Sequence, residues 1–310
     1  MRTKPAEPLL AAIEAGGTKF VCAVGTGPDD ILARTSIETR TPEQTLTDVT
    51  RWFTGQKAKI GMFEALGIGS FGPVDLDPES ATYGFITTTP KGGWQHVDLV
   101  GQLRSHFKVP IGFDTDVNAA ALGESLWGAG IGCDPLVYIT VGTGVGGGVL
   151  VNGRPLHGLL HPEIGHLQVP PLSGTGAVNL KCQCPYHENC VEGYASGMSI
   201  MKRWGVVAEH LPQNHPVWED VSDVMSHALA NLVLTLSPRR IILGGGVMKQ
   251  TQLFGLTRAK VVCVLNGYLQ CRELSEHIDE YIVPPGLGDN SGIAGAMALG
   301  MQALATAKTS

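Results

Sequence analysis

What the chain lacks narrows its identity first. Its 310 residues contain no run of 18 apolar positions, so nothing in the sequence reads as a membrane-spanning helix. Basic residues are outnumbered 22 to 28, for a formal net charge of -6. With no basic surplus to meet a phosphate backbone, a nucleic-acid partner is not expected. The start, MRTKPAEPLLAAIEAGG, has basic residues, but its apolar run is short and Glu14 interrupts it, which makes a poor secretory signal. The P-loop pattern G-x-x-x-x-G-K-[ST] is absent. Cysteine is scarce and odd in number: seven, with Cys22, Cys133, Cys263 and Cys271 each standing alone. Such scatter does not form a disulfide framework, and a reducing cytoplasm is the expected location.

What remains is an ordinary globular composition, 43% apolar and 16% charged, on a chain long enough for two domains. Glycine is abundant, at 41 residues, and clustered. LLAAIEAGGTKFVCAVG and LVYITVGTGVGGGVLVNG follow one pattern, strand, glycine turn, strand, with Gly-Thr at the tip. RRIILGGGVM reads as a buried strand meeting a glycine turn. Thr41-Pro42-Glu43-Gln44 is a capping box that opens a helix through about Phe53. Val224, Met225, Ala228, Leu229, Leu232, Val233 and Leu236 recur at helical spacing. VNAAALGESLWG after Asp116 suits a closely packed helix, and Asn290-Ser291 caps a last one. Strands and helices interleave, so the class is α/β. The repeated hairpin predicts two related halves hinged near residues 115 to 130.

Glycine turns let backbone N–H groups approach an anion closely. Gly16, Gly17, Thr18 and Lys19 form one such turn, and Gly142, Thr143 and Gly144 open another. GTGVGG also fits G-x-G-x-x-G, but it lies within strand-turn-strand and not before a helix, which disfavours a Rossmann reading. A nucleotide held between the two hairpins is expected instead. Asp114 and Asp116 end an extended stretch. Each reads as a helix cap, and Asp116 also as a base aligning a sugar hydroxyl with a γ-phosphate. In HGLLHPEIGH, Glu163 and His166 suit a polyhydroxylated ligand, or simply a surface loop. KCQCPYHENC places Cys184, His187 and Cys190 as C-x2-H-x2-C, with His166 eighteen residues upstream, the pattern of a structural Cys2His2 zinc site. Cys182 is a spare thiol. A metal holding His166 would also fix the loop bearing Glu163 and so reach the ligand pocket.

In order along the chain, IEAGGTK, GSFGPVD, DTDVNAAALGE, VGTGVGGG, HPEIGH, the Cys/His cluster followed by VEGYASG, and IILGGGVM resemble the ROK family of sugar kinases from about residue 8 to 300. Within it, IEAGGTKF, TTTPK, DTDVNAAALGE and CPYH resemble the bacterial fructokinase branch. Three positions depart from the usual pattern: Glu14 replaces Asp, Thr115 replaces Asn, and CQCPYHENC replaces C-x-C-G-x-x-G-C.

The resemblance implies a two-domain, actin-like (ribonuclease H-like) α/β ATPase fold with a structural zinc loop. Residues 1–120, with helix 291–305 packing back, would form a small domain, and 121–290 a large one carrying the zinc loop 161–192. It implies an ATP- and Mg²⁺-dependent hexose kinase, acting on fructose or, alternatively, on glucose, mannose or an N-acetylated amino sugar; a non-catalytic sugar sensor is the further alternative. No room remains before the first turn for the helix-turn-helix of the family's repressors. By the resemblance Asp116 is catalytic. Ser70, Lys91, Thr115, Glu163, His166 and Glu192 bind sugar. Gly16–Lys19, Gly142–Gly144, Gly244, Gly245, Gly246, Val247 and Met248 bind ATP, and His166, Cys184, His187 and Cys190 bind zinc. Hexose and ATP are the expected partners of a homodimer, and closure of the two halves would expel water.

Overall fold

The computed structural model describes residues 7–172 and 181–309. The first six residues of the poor signal sequence, and residues 173–180 of the expected zinc loop, lie outside the described residues.

In chain order the elements are β1 (Leu10–Ala15), β2 (Lys19–Gly27), β3 (Asp30–Glu38), α1 (Pro42–Lys59), β4 (Ala65–Ser70), β5 (Phe85–Ile86), β6 (Val97–Asp98), α2 (Leu99–His106), β7 (Ile111–Thr115) and α3 (Asp116–Trp127). There follow β8 (Leu136–Val141), β9 (Val145–Val151), β10 (Arg154–Pro155), α4 (Val191–Ala195), α5 (Gly197–Trp204), α6 (Val217–Leu236), β11 (Arg240–Gly244), α7 (Gln252–Leu265), α8 (Arg272–Ser275), α9 (Ile278–Tyr281), β12 (Ile282–Val283) and α10 (Ser291–Thr309). They form two compact units. One takes the chain to Gly128, His157–His161 and everything from Asp289; the other takes Ala129–Leu156 and Pro162–Gly288.

The first unit is built on the sheet β3-β2-β1-β4-β7, in which β1 and β2 are the antiparallel glycine hairpin and β1, β4 and β7 run parallel. Side chains alternate along β1, and both of its faces are buried. Ala11, Ile13 and Ala15 join Leu46, Val49 and Phe53 of α1 and Leu99 and Leu103 of α2, while Leu10 and Ala12 join Ile293, Ala296 and Met297 of α10. The N-cap half of the expected capping box forms: Thr41 Oγ1 accepts the Gln44 N–H, Pro42 opens α1, and the helix runs past Phe53 to Lys59, while the Gln44 side chain makes no bond back to the Thr41 N–H.

Helix α10 packs on α3 and on the parallel strands. Glycines make this approach possible. A Cβ on Gly67 of β4 would stand 1.6 Å from the Ala296 carbonyl oxygen, and one on Gly295 of α10 would stand 1.6 Å from that of Ala119.

The second unit repeats the plan, with sheet order β10-β9-β8-β11-β12: an antiparallel glycine hairpin, β8–β9, then two strands parallel to β8. Val137, Ile139 and Val141 of β8 face a core filled by Val221, Val224, Met225, Ala228 and Leu229 of α6 with Leu253 and Val261 of α7. The repeated hairpin seen in the sequence is thus the visible part of a repeated sheet.

Candidate functional site

In the first unit Gly16–Lys19, Ser70, Thr115 and Asp116 lie at the carboxyl ends of the parallel strands, where open α/β sheets bind ligands. Strand register puts Ala15 of β1, Ser70 of β4 and Thr115 of β7 in one row, with neighbours roughly 5 Å apart. The Gly16–Lys19 turn follows the first of these strands and Asp116 the last. The turn is closed by the Gly16 N–H on the Lys19 carbonyl at 3.0 Å and braced by the Thr39 hydroxyl, which donates to the Gly16 carbonyl at 2.8 Å. Gly17, Thr18 and Lys19 are left exposed.

The two aspartates do different work. Asp114 is buried and engaged: Oδ1 accepts the Thr115 N–H and an Asn118 amide N–H, both at 2.7 Å, and Oδ2 faces His157 Nε2 at 3.0 Å. That hydrogen bond to Asp114 is the main cause of a raised His157 pKa. Asp116 opens α3, with Oδ1 accepting the Val117 N–H at 2.9 Å. Burial lifts its carboxyl to about 6 against those backbone hydrogen bonds. Glu14 is lifted to about 7, by burial first and then by the Asp116 charge. Its carboxyl lies against the first turn of α10, where a Cβ on Gly292 would be 2.4 Å from Glu14 Cδ.

Thr115 Oγ1 caps α3 by accepting the Asn118 N–H at 3.1 Å. The Ser70 hydroxyl is buried and donates to the Phe71 carbonyl at 2.9 Å. Lys91 stands half-buried in the loop between β5 and β6, its N–H held by Thr89 Oγ1 at 3.3 Å.

In the second unit the other two glycine segments meet at the carboxyl ends of the neighbouring parallel strands β8 and β11. Gly245 has φ +92°, and a Cβ there would fall 2.4 Å from the Val141 oxygen, so only glycine lets this turn pass so near the start of Gly142–Gly144. Gly142 closes its turn by donating to the Gly144 carbonyl at 2.8 Å. Gly244 abuts Tyr138, and Gly246 is open. The side chains of Val247 and Met248 are buried in the core, so a nucleotide contact here would fall to the backbone of the turn. Glu192, in the first turn of α4, accepts the Val145 N–H on Oε2 at 2.9 Å. Glu163 is exposed and precedes the short turn Ile164–His166.

The four expected metal ligands converge. Donor atoms of His166, Cys184, His187 and Cys190 all lie within 4.8 Å of one another. Cys184 Sγ stands 3.4 Å from His187 Nδ1 and 3.9 Å from His166 Nδ1, which is 3.8 Å from Cys190 Sγ. Ligands at tetrahedral zinc distances would be separated by roughly 3.3–3.8 Å, so two thiolates and two imidazoles fit this ion. Cys182 is not of the group; its thiol is buried against Gly193.

Sequence reasoning left out His157 and His161. The strap His157–His161 belongs to the first unit, where His161 Nε2 accepts the Val74 N–H at 3.1 Å. Their partners lie 43 and 87 positions away, and only the fold reveals them.

Comparison with known proteins gives the family and the fold. The profile of the ROK family matches residues 10–303. The chain is 45% identical to the fructokinase of Pediococcus pentosaceus, over 96% of this chain and 100% of that one. It is 40% identical to the fructokinase of Zymomonas mobilis, over 95% and 97%. Among solved structures, a ROK family glucokinase from Streptomyces griseus in complex with glucose and AMPPNP superposes with a TM-score of 0.75 at 26% identity, covering 95% of this chain and 99% of that one. The two repeated sheets are those of the actin-like ATPase fold, and the chain belongs to the ROK family.

Proposed function

We propose that this protein is an ATP-dependent hexose kinase whose acceptor is D-fructose, yielding ADP and D-fructose 6-phosphate. The observation that carries this reading is the placing of Asp116 at the head of α3, directly after β7 and at the same end of the sheet as the Gly16–Lys19 turn that follows β1; burial, which raises the pKa of its carboxyl, makes it more basic than an ordinary aspartate. The named fructokinases among its relatives support fructose as the acceptor.

Asp116 aligns the sugar 6-hydroxyl and takes its proton while the oxygen–phosphorus bond forms and the bond to the departing ADP breaks. A loose phosphoryl-transfer transition state asks chiefly for alignment, which suits a carboxylate of modest basicity. The exposed residues Gly17, Thr18 and Lys19, the last through its ammonium, hold the β- and γ-phosphates on a turn that Gly16 closes, and Gly142, Thr143 and Gly144 offer them the second glycine turn. Gly244–Gly246, with the backbone of Val247 and Met248, pass against the adenosine. Mg²⁺ would enter as part of the MgATP substrate and would supply charge neutralisation at the phosphates.

Ser70, Lys91 and Thr115 of the first unit and Glu163, His166 and Glu192 of the second are the proposed sugar ligands. His166 serves twice: with Nδ1 turned to the two thiols, its Nε2–H is left as a donor to a hydroxyl. Zinc in the Cys2His2 cluster would be structural, because four protein ligands complete a tetrahedron. We place the enzyme in the cytoplasm as a homodimer. No described helix is long and apolar enough to cross a membrane, and light scattering reads the oligomeric state. A coupled assay with MgATP over a panel of hexoses tests the proposal: fructose should be turned over with the highest kcat/KM, and absence of turnover with every sugar would return the protein to the sensors.

A further inference from the structure

The glycine turn at Gly142–Val145 has almost no side chains of its own to hold it, and its support comes from the flank of the metal cluster. Cys190 caps α4, its Sγ accepting the Gly193 N–H at 3.4 Å. Two residues on, Glu192 Oε2 accepts the Val145 N–H at 2.9 Å. Just beyond α4, the Gly197 N–H donates to the Gly142 carbonyl at 2.7 Å and the Met198 N–H to that of Thr143 at 3.4 Å. From the other arm of the loop, Gly165, next to His166, lies so close that a Cβ on it would stand 1.9 Å from the Val145 oxygen. The two arms are paired, Val169 N–H to the Asn189 carbonyl at 3.0 Å and Val191 N–H to that of Leu167 at 3.2 Å, and the four ligands close the loop at its end. With the Gly142 N–H turned to Gly144 and the Val145 N–H to Glu192, the Thr143 and Gly144 N–H groups make no backbone hydrogen bond among the described residues.

We infer that Glu192 is a positioning residue for the nucleotide, holding the Gly142–Val145 turn with its Thr143 and Gly144 N–H groups ready for phosphate, and that the His166–Cys184–His187–Cys190 cluster holds Glu192 in turn. This rests on the kinase reading above and extends it. The metal governs nucleotide affinity without touching the nucleotide, in addition to its expected effect on the sugar through His166. The physical basis is preorganisation. A carboxylate accepting a backbone N–H makes a charge-assisted bond, and a turn rich in glycine has the most conformational freedom to lose when that bond goes.

Calorimetric titration of MgADP and of fructose, with hydrogen exchange over residues 136–150, tests the inference on zinc-loaded enzyme, on metal-stripped enzyme and on the variants Glu192→Ala and Glu192→Gln. Glu192→Ala should keep its zinc, bind MgADP about tenfold more weakly and lose protection in the turn. Glu192→Gln, whose amide oxygen can accept the same bond, should keep its MgADP affinity within about threefold of the parent, whatever its effect on fructose. Metal-stripped enzyme should shift in the same direction as Glu192→Ala. Unchanged MgADP affinity and unchanged exchange in zinc-loaded Glu192→Ala would overturn the inference, even with fructose binding impaired, and this arm stands if the stripped protein does not stay folded. Failure of the zinc-loaded parent to bind MgADP at all would remove the kinase reading itself, a separate outcome.

Discussion

Asp114 and Asp116 are two positions apart, identical in type, and assigned opposite tasks by their surroundings. Asp114 is spent on holding the backbone and His157, whereas Asp116 is raised to about 6 by burial. Their position after an extended stretch was legible in the sequence. The division of labour was not, because it depends on an imidazole 43 residues away. Replacing Asp116 by Asn should cut kcat on the order of 10²-fold or more while MgADP affinity stays within a few-fold, and steady-state kinetics beside calorimetry checks this. The acid limb of kcat/KM for fructose should fall with an apparent pKa near 6, the value for Asp116 in the free enzyme. The sign for stability is the reverse. A carboxyl whose folded pKa lies above its unfolded one favours the protonated fold, so stability drops as pH rises from about 4 through 6 for Asp116 and through 7 for Glu14. Thermal melts should therefore show Glu14→Gln raising Tm at pH 8 relative to the parent and changing it little near pH 4.

Elements with local signals were readable from sequence: the Thr41 N-cap and Pro42 start of α1, the apolar spacing of α6, and both glycine hairpins all lie where the residues place them. Close packing of α3 was read from its small residues; what escaped was its partner, α10, and the reason for the small residues there. SGIAGAMALG has no strong stripe, because its glycines and alanines exist to admit backbone from β4 and α3, more than 150 positions away, and such contacts leave no local periodicity. Gly67→Ala puts a Cβ 1.6 Å from the Ala296 oxygen. The helix must move, so a loss of about 1–3 kcal/mol, visible as a lower Tm or denaturation midpoint, is expected with the glycine turns untouched. An unchanged midpoint would mean that α10 is not packed on β4 as described.

At the scale of the whole molecule, one sheet plan used twice explains the glycine excess, since each copy carries a hairpin turn and close strand-to-helix contacts. The family pattern was legible from end to end, and so was the gathering of the Cys/His cluster: C-x2-H-x2-C is a local spacing for Cys184, His187 and Cys190, and His166 stands eighteen positions upstream. That Cys182 stands outside the cluster was not, since a thiol two residues from a ligand looks equivalent until Gly193 is found packed against it. Metal analysis of the purified protein should find about one zinc per chain, and prolonged chelation should lower Tm as the loop loses its closure. A metal-free protein with unaltered melting would dismiss the structural role. The most direct test of the central claim is initial-rate phosphorylation with MgATP across fructose, glucose, mannose and N-acetylated amino sugars. Fructose should give the highest kcat/KM, with Asp116→Asn abolishing most of it; a preference for another hexose, or no turnover with any, would contradict the assignment.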